Sequence, residues 1–128
     1  MESSINTRGI KSFHDLVAWQ KSVDLAEAIY EATIDFPKSE IYGLVSQLRR
    51  SAVSVPSNIA EGHERNTTGE MLQSLGHARG SLAELETQVI LAIRLEYLAA
   101  RRGDDLLNRI SEIGRLLSGL RNSLKRRL

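Results

Sequence analysis

The sequence predicts an all-α fold, an antiparallel up-down-up-down four-helix bundle, and three observations carry that expectation. Apolar residues recur at spacings of three and four in four successive stretches, the period of one helix face. Aromatic residues make up only 5% of the chain while Leu, Ala, Ser, Arg and Glu dominate, a balance that favours helices over strands. The breaks between stretches are short, and short connections force successive helices antiparallel. At 128 residues the chain has the size of one domain, expected over 12–128 behind a flexible N-terminal extension at 1–11.

The first helix is expected to begin near Ser12 to Asp15, capped by Ser12 or Asp15, and to run to about Asp35 ahead of Pro37, since the residue before proline disfavours helix. Leu16, Trp19, Val23, Ala26 and Tyr30 form its apolar stripe. The second runs from about Tyr42 to His63 on Leu44, Leu48, Ala52, Val55 and Ile59, with Pro56 inside the pattern as an expected kink. The third starts at Asn66-Thr67-Thr68, capped by Thr67 or Thr68, and its stripe is Met71, Leu75, Ala78, Leu82, Leu85, Val89 and Ala92. The fourth is expected after Gly103 with Asp104 as cap. It repeats Leu106, Ile110, Ile113, Leu117, Leu120 and Leu124 at alternating steps of four and three.

The second helix carries more apolar surface than one bundle seam requires. Beside its main stripe, Val45, Val53, Pro56 and Ala60 extend the apolar arc, with Arg49 next to Val53. A surplus of that kind predicts a subunit interface, most simply with a second copy, the alternative being that Trp19 and the long third helix wrap the second helix generously. The opposite side holds an ordered polar row, Gln47, Arg50, Ser54, Asn58 and Glu61. Such a row is either a hydrogen-bonded ladder between helices or subunits, or a plain solvated face.

Composition excludes several classes. No cysteine is present, so disulfides and thiolate chemistry are ruled out. No apolar run approaches the ~20 residues of a membrane span, and the first residues lack the pattern of a secretory signal; a cytoplasmic location is expected. Net charge is +1 but uneven: residues 1–64 hold six Lys/Arg against nine Asp/Glu, a net of −3, and residues 65–128 hold eleven against seven, a net of +4. The basic tail, ending in Lys125, Arg126 and Arg127, suits either a polyanion partner or the negative end of a helix dipole.

No catalytic constellation is legible. The histidines His14, His63 and His77 form no Glu-x-x-His or His-Glu-x-x-His motif, the spacing by which one helix face holds a metal. Arg8 and His14 have an Arg-x5-His spacing that occurs in some helical ribonucleases, but they precede the bundle. Gly76 and Gly80 are expected to permit close helix approach. No cofactor and no metal are expected. Arg49, Arg50, Arg65 and Arg79 supply cations at positions from which phosphates are reachable, with few aromatics beside them for base stacking. The competing reading pairs Arg49, Arg50 and Arg79 with Glu61, Glu84 or Glu86 inside an oligomer.

The run Gln47-Leu48-Arg49-Arg50 through Ser54-Val55-Pro56-Ser57-Asn58-Ile59-Ala60-Glu61-Gly62, with Leu16-Val17-Ala18-Trp19-Gln20-Lys21, Phe36-Pro37, Tyr42-Gly43-Leu44 and Ala78-Arg79-Gly80-Ser81-Leu82-Ala83-Glu84-Leu85-Glu86, resembles the four-helix-bundle family of 23S rRNA intervening-sequence proteins. The resemblance spans about Phe13 to Leu98 and fades beyond Gly103. It implies assembly into a symmetric ring, typically a homopentamer with a central channel. A similar protein is the accessory variability determinant of diversity-generating retroelements, a basic pentameric barrel that associates with a reverse transcriptase and its RNA. By that analogy Arg49, Arg50, Arg65 and Arg79 become candidate RNA contacts. The expected function is therefore a non-catalytic, oligomeric, RNA-binding protein. The alternatives are an oligomeric scaffold for a protein partner and, more remotely, a small-molecule binder or hydrolase using the channel.

Overall fold

The computed structural model describes residues 12–13 and 16–128. The expected extension over 1–11, the Arg8–His14 pair and the candidate cap Asp15 lie outside them. Four helices form, α1 (Val17–Thr33), α2 (Leu44–His63), α3 (Thr68–Arg94) and α4 (Ala100–Lys125), with a 3-10 turn at Lys38–Glu40 between α1 and α2. Each helix packs on its chain neighbours and α1 closes onto α4, while the diagonal pairs stay apart among the described residues. Contacts such as Arg49 with Thr33, Ser54 with Ser81 and Lys21 with Glu112 fix the antiparallel order.

The stripes of α2, α3 and α4 are buried as expected, except that Met71 is half-buried. That of α1 is not. The core face is Ala18, Ser22, Leu25, Ile29, Ala32 and Thr33, whereas Val23 and Tyr30 are exposed and Trp19 and Ala26 only half-buried. Two polar residues disguise the true face. Ser22 Oγ donates to Ala18 O at 2.7 Å, and Thr33 Oγ1 lies 2.9 Å from Ile29 O. Each hydroxyl is satisfied by the carbonyl one turn back, which lets it enter the core without an unmet hydrogen bond.

The helix ends differ in two places from expectation. Leu16 occupies the N-cap position of α1 and makes no side-chain cap. The fourth helix starts at Ala100 with Ala99 at its N-cap position, so Gly103 and Asp104 lie inside the helix and Asp104 is not the cap. Gly103 is needed for packing, because a methyl group there would collide with Ile93 Cγ1 and Cδ1. Gly62 allows a close approach of α3, since a Cβ there would lie 3.2 Å from Ser74 Cβ. Gly76 and Gly80 do not play the expected part: Gly80 faces open space and Gly76 only Arg121. Thr67 does cap α3, its side chain accepting from Glu70 N at 3.1 Å. Pro56 is buried and α2 runs through it as one element.

One end of the bundle is clasped by aromatic and acidic side chains. Phe36 packs on Tyr97 with ring centroids 5.5 Å apart. Tyr97 OH donates to Glu40 Oε2 at 3.0 Å, and Glu40 Oε1 accepts from Leu44 N at 3.1 Å, satisfying an otherwise orphaned donor at the start of α2. The hydrogen bond to the Glu40 carboxylate, reinforced by burial and by its charge, raises Tyr97 above the ordinary phenol range. Tyr97 is placed by the α3 terminus, where Glu96 takes φ 62° and Tyr97 N bonds back to Ala92 O at 3.0 Å.

Candidate assembly and nucleic-acid interfaces

Two surfaces flank α2, and both carry exposed side chains among the described residues. The first runs along α1 and α2. Both helices direct a second apolar arc to this side: Trp19, Val23, Ala26, Tyr30 and Ile34 from α1, Val53 and Ala60 from α2. Ile34 is 70% exposed and Val53 43%. The misplaced α1 stripe is thus itself informative, because its regular spacing belongs to a surface strip. Arg49 stands between the two arcs. Its Nε donates to Thr33 Oγ1 at 2.9 Å, its Nη2 to Tyr30 O at 3.3 Å, and its guanidinium lies over the Tyr30 ring. Val45 and Pro56 are corrected here: both are buried by the chain's own helices, on the side of α2 that α1 covers, so they add nothing to the free strip.

The second surface is the groove between α2 and α3. It encloses about 510 Å³ and is lined by Tyr42, Gln47, Arg50, Ser54, Glu84 and Gln88 among others. The polar row of α2 divides here. Ser54 Oγ and Ser81 Oγ are 2.7 Å apart, and Asn58 Nδ2 donates to Ser54 O at 2.8 Å and to Ser54 Oγ at 3.0 Å. This middle section is a ladder between helices of one chain. Glu61, exposed at the far end, pairs with Arg65. Gln88 Oε1 is buried with no hydrogen-bond partner. Sequence reasoning missed Tyr42, 97% exposed, and Gln88 as lining residues. Their only signal is that an aromatic and an amide stand where the apolar stripes of α2 and α3 do not reach.

The candidate cations do not converge on one patch. Arg49 is held at the α1–α2 seam, Arg50 projects over the α2–α3 groove, and Arg79 lines a shallow α3–α4 groove with Glu86 and Ser111. Adjacent helix positions diverge by about 100°, so Arg49 and Arg50 could not share a side. None of Arg49, Arg50 and Arg79 forms an ion pair with Glu61, Glu84 or Glu86 within the chain among the described residues. A second group gathers at one end of the bundle. The C-terminus of α4 emerges there with Lys125, Arg126 and Arg127 exposed, at the same end as Arg65 in the α2–α3 turn. From residue 113 onward the chain holds five Lys/Arg and no Asp or Glu.

Among the described residues no group of three or more His, Asp or Glu is placed to hold a metal ion. The one histidine contact of note is His63 Nδ1 with Glu64 Oε2 at 3.3 Å, exposed at the end of α2. No helix of the described residues is long and apolar enough to cross a membrane. The class so defined is a small all-α bundle whose described residues leave exposed surface on both sides of one helix and whose C-terminal segment is basic.

The chain belongs to the family of 23S rRNA-intervening sequence proteins, whose family model matches residues 14–119. A solved structure from Bacteroides thetaiotaomicron, described as a protein of unknown function from the S23 ribosomal protein family, is similar at 25% identity and a TM-score of 0.75. The match covers 82% of this chain and 98% of that one. No curated protein matches the chain.

Proposed function

We propose that this chain is a non-catalytic, cytoplasmic protein that assembles into a ring of identical copies, five by family resemblance, and binds structured RNA through its phosphates. The observation that carries the RNA reading is the acid-free segment from residue 113 to the end, whose cations Lys125, Arg126 and Arg127 project at the same end of the bundle as Arg65. Family membership supports the same reading. Phosphate contacts need only reachable Arg and Lys, and they set affinity without reading sequence. Assembly multiplies the effect, since a ring presents every basic end on one side and converts weak contacts into avid ones. With few aromatics nearby, backbone and shape carry recognition.

The test is a titration of the purified protein against a folded RNA and a matched duplex DNA across salt concentrations. Log affinity is expected to fall linearly with log salt, by roughly 0.7–0.9 per phosphate contact, with RNA favoured over DNA. Arg126→Glu with Arg127→Glu is expected to weaken binding and flatten the slope. No binding at low salt overturns the RNA reading. The uncovered α1–α2 strip favours one second reading, an oligomeric scaffold whose partner is another protein, such as a reverse transcriptase. That reading is the one left standing if RNA is ignored while assembly persists.

A further inference from the structure

Resting on the assembly half of that reading, we infer that the groove between α2 and α3 is the socket for α1 of a second copy, so that the ring contact joins two different surfaces of the chain.

The groove lacks what the α1 ridge offers. Its walls carry Arg50 and Glu84, neither of which makes a hydrogen bond or ion pair among the described residues, and the buried, unpartnered Gln88 Oε1. The outward ridge of α1 carries Glu27, Tyr30 and Glu31, all exposed, and ends in Ile34. Heights along the bundle decide whether these can meet. Arg49 touches Tyr30, which puts Arg50 level with Tyr30, between Glu27 and Glu31. Ser54 touches Ser81, which brings Glu84 to nearly the same level.

When neighbouring bundles stand the same way up, as in a ring, Arg50 of one copy falls between Glu27 and Glu31 of the next. The Tyr30 hydroxyl supplies a donor for Glu84. Ile34 reaches the apolar mouth of the groove, where Tyr42, Leu91 and Leu95 are exposed at the same end of the bundle. Charge, hydrogen bonding and apolar surface therefore match at one setting.

Size and direction agree. Seventeen residues of α1 give a ridge about 25 Å long, enough to run the length of the groove from Ser54 to Tyr42. Because ridge and groove lie on different sides of the bundle, the contact is heterologous and can close into a ring.

The absence of cysteine allows a direct test on the full chain. Ile34→Cys with Leu91→Cys in one chain, under mild oxidation, is expected to give a covalent ladder that rises to the closed ring, while either single variant gives no covalent dimer. A single variant that dimerises indicates a two-fold contact and overturns the proposal, as does an intact oligomer whose double variant fails to cross-link. If the unmodified chain is monomeric at high concentration by light scattering, the assembly reading falls and this inference with it. Charge exchange gives an independent check: Arg50→Glu is expected to lower the assembly mass, and adding Glu27→Arg and Glu31→Arg to restore it. Loss without restoration counts against the socket.

Discussion

The guanidinium carbon of Arg49 sits 4.5 Å from the centroid of the Tyr30 ring while Nε of the same side chain donates to Thr33 Oγ1 at 2.9 Å. One arginine thus ties the end of α1 to the first half of α2. Its guanidinium is engaged at a seam between the two helices.

Arg49→Ala is therefore expected to act on stability and not on RNA affinity. A hydrogen bond from a charged donor contributes about 1.5–3 kcal/mol, and an exposed cation–π contact about 0.5–1 kcal/mol. A loss of roughly 1–3 kcal/mol in urea unfolding checks the first half. Affinity within twofold of the parent, measured beside the Arg126/Arg127 charge reversal, checks the second. A large fall in RNA binding by a stably folded Arg49→Ala would show that the guanidinium leaves its seam.

Two glycine substitutions are expected to move stability in opposite directions. Gly103→Ala places a methyl group against Ile93 and should cost about 1–3 kcal/mol, the range for an overfilled core. Ile93→Ala added to it should recover part of that loss. Gly80→Ala meets open space and removes a flexible residue from a helix interior, a gain of about 0.5–1 kcal/mol. Thermal or urea unfolding of the three variants distinguishes packing from backbone entropy.

The Tyr97–Glu40 bond predicts an alkaline dependence of stability. Its phenol ionises at higher pH folded than unfolded, where the value is about 10. The neutral hydroxyl therefore stabilises the fold fully below pH 10, and that contribution is lost as pH rises through the raised value. Tyr97→Phe should lower the melting temperature modestly at neutral pH. It should also flatten the decline above pH 10 that the parent shows, as melting curves from pH 8 to 11.5 would record.

Val53→Glu places a charge in the exposed strip between α1 and α2. The expected outcome is a fall in assembly mass by light scattering with helicity unchanged by circular dichroism, because Val53 is not part of the core. Asn108→Glu, exposed on α4, is the matched control and should leave the mass as it was. Equal masses for both would place the subunit contact elsewhere.

Four helices, their order and three of their four core faces were legible in the sequence, since burying a continuous apolar stripe at helical period admits few other arrangements. The Thr67 cap was legible for a similarly local reason: its hydroxyl reaches a donor only three residues away. The face of α1 was not. Two stripes of equal regularity run along it, and the more apolar one lies at the surface because Ser22 and Thr33 hide their hydroxyls against their own helix. Nor did spacing reveal which glycines matter, because Gly62 and Gly103 are set by the approach of another helix, Gly103 against Ile93.

For the candidate sites the division is similar. Composition alone placed five cations and no acid after residue 112, and the run from Gln47 to Gly62 marked the family. Tertiary structure decided that Arg49 is engaged by Tyr30 and Thr33, that Val45 and Pro56 are interior, and that Arg50 projects over a groove with Glu84 and Gln88. Sequence periodicity sets which residues share a helix face. Only the packing of α1 and α3 on either side of α2 determines which of those faces is covered and which stays exposed.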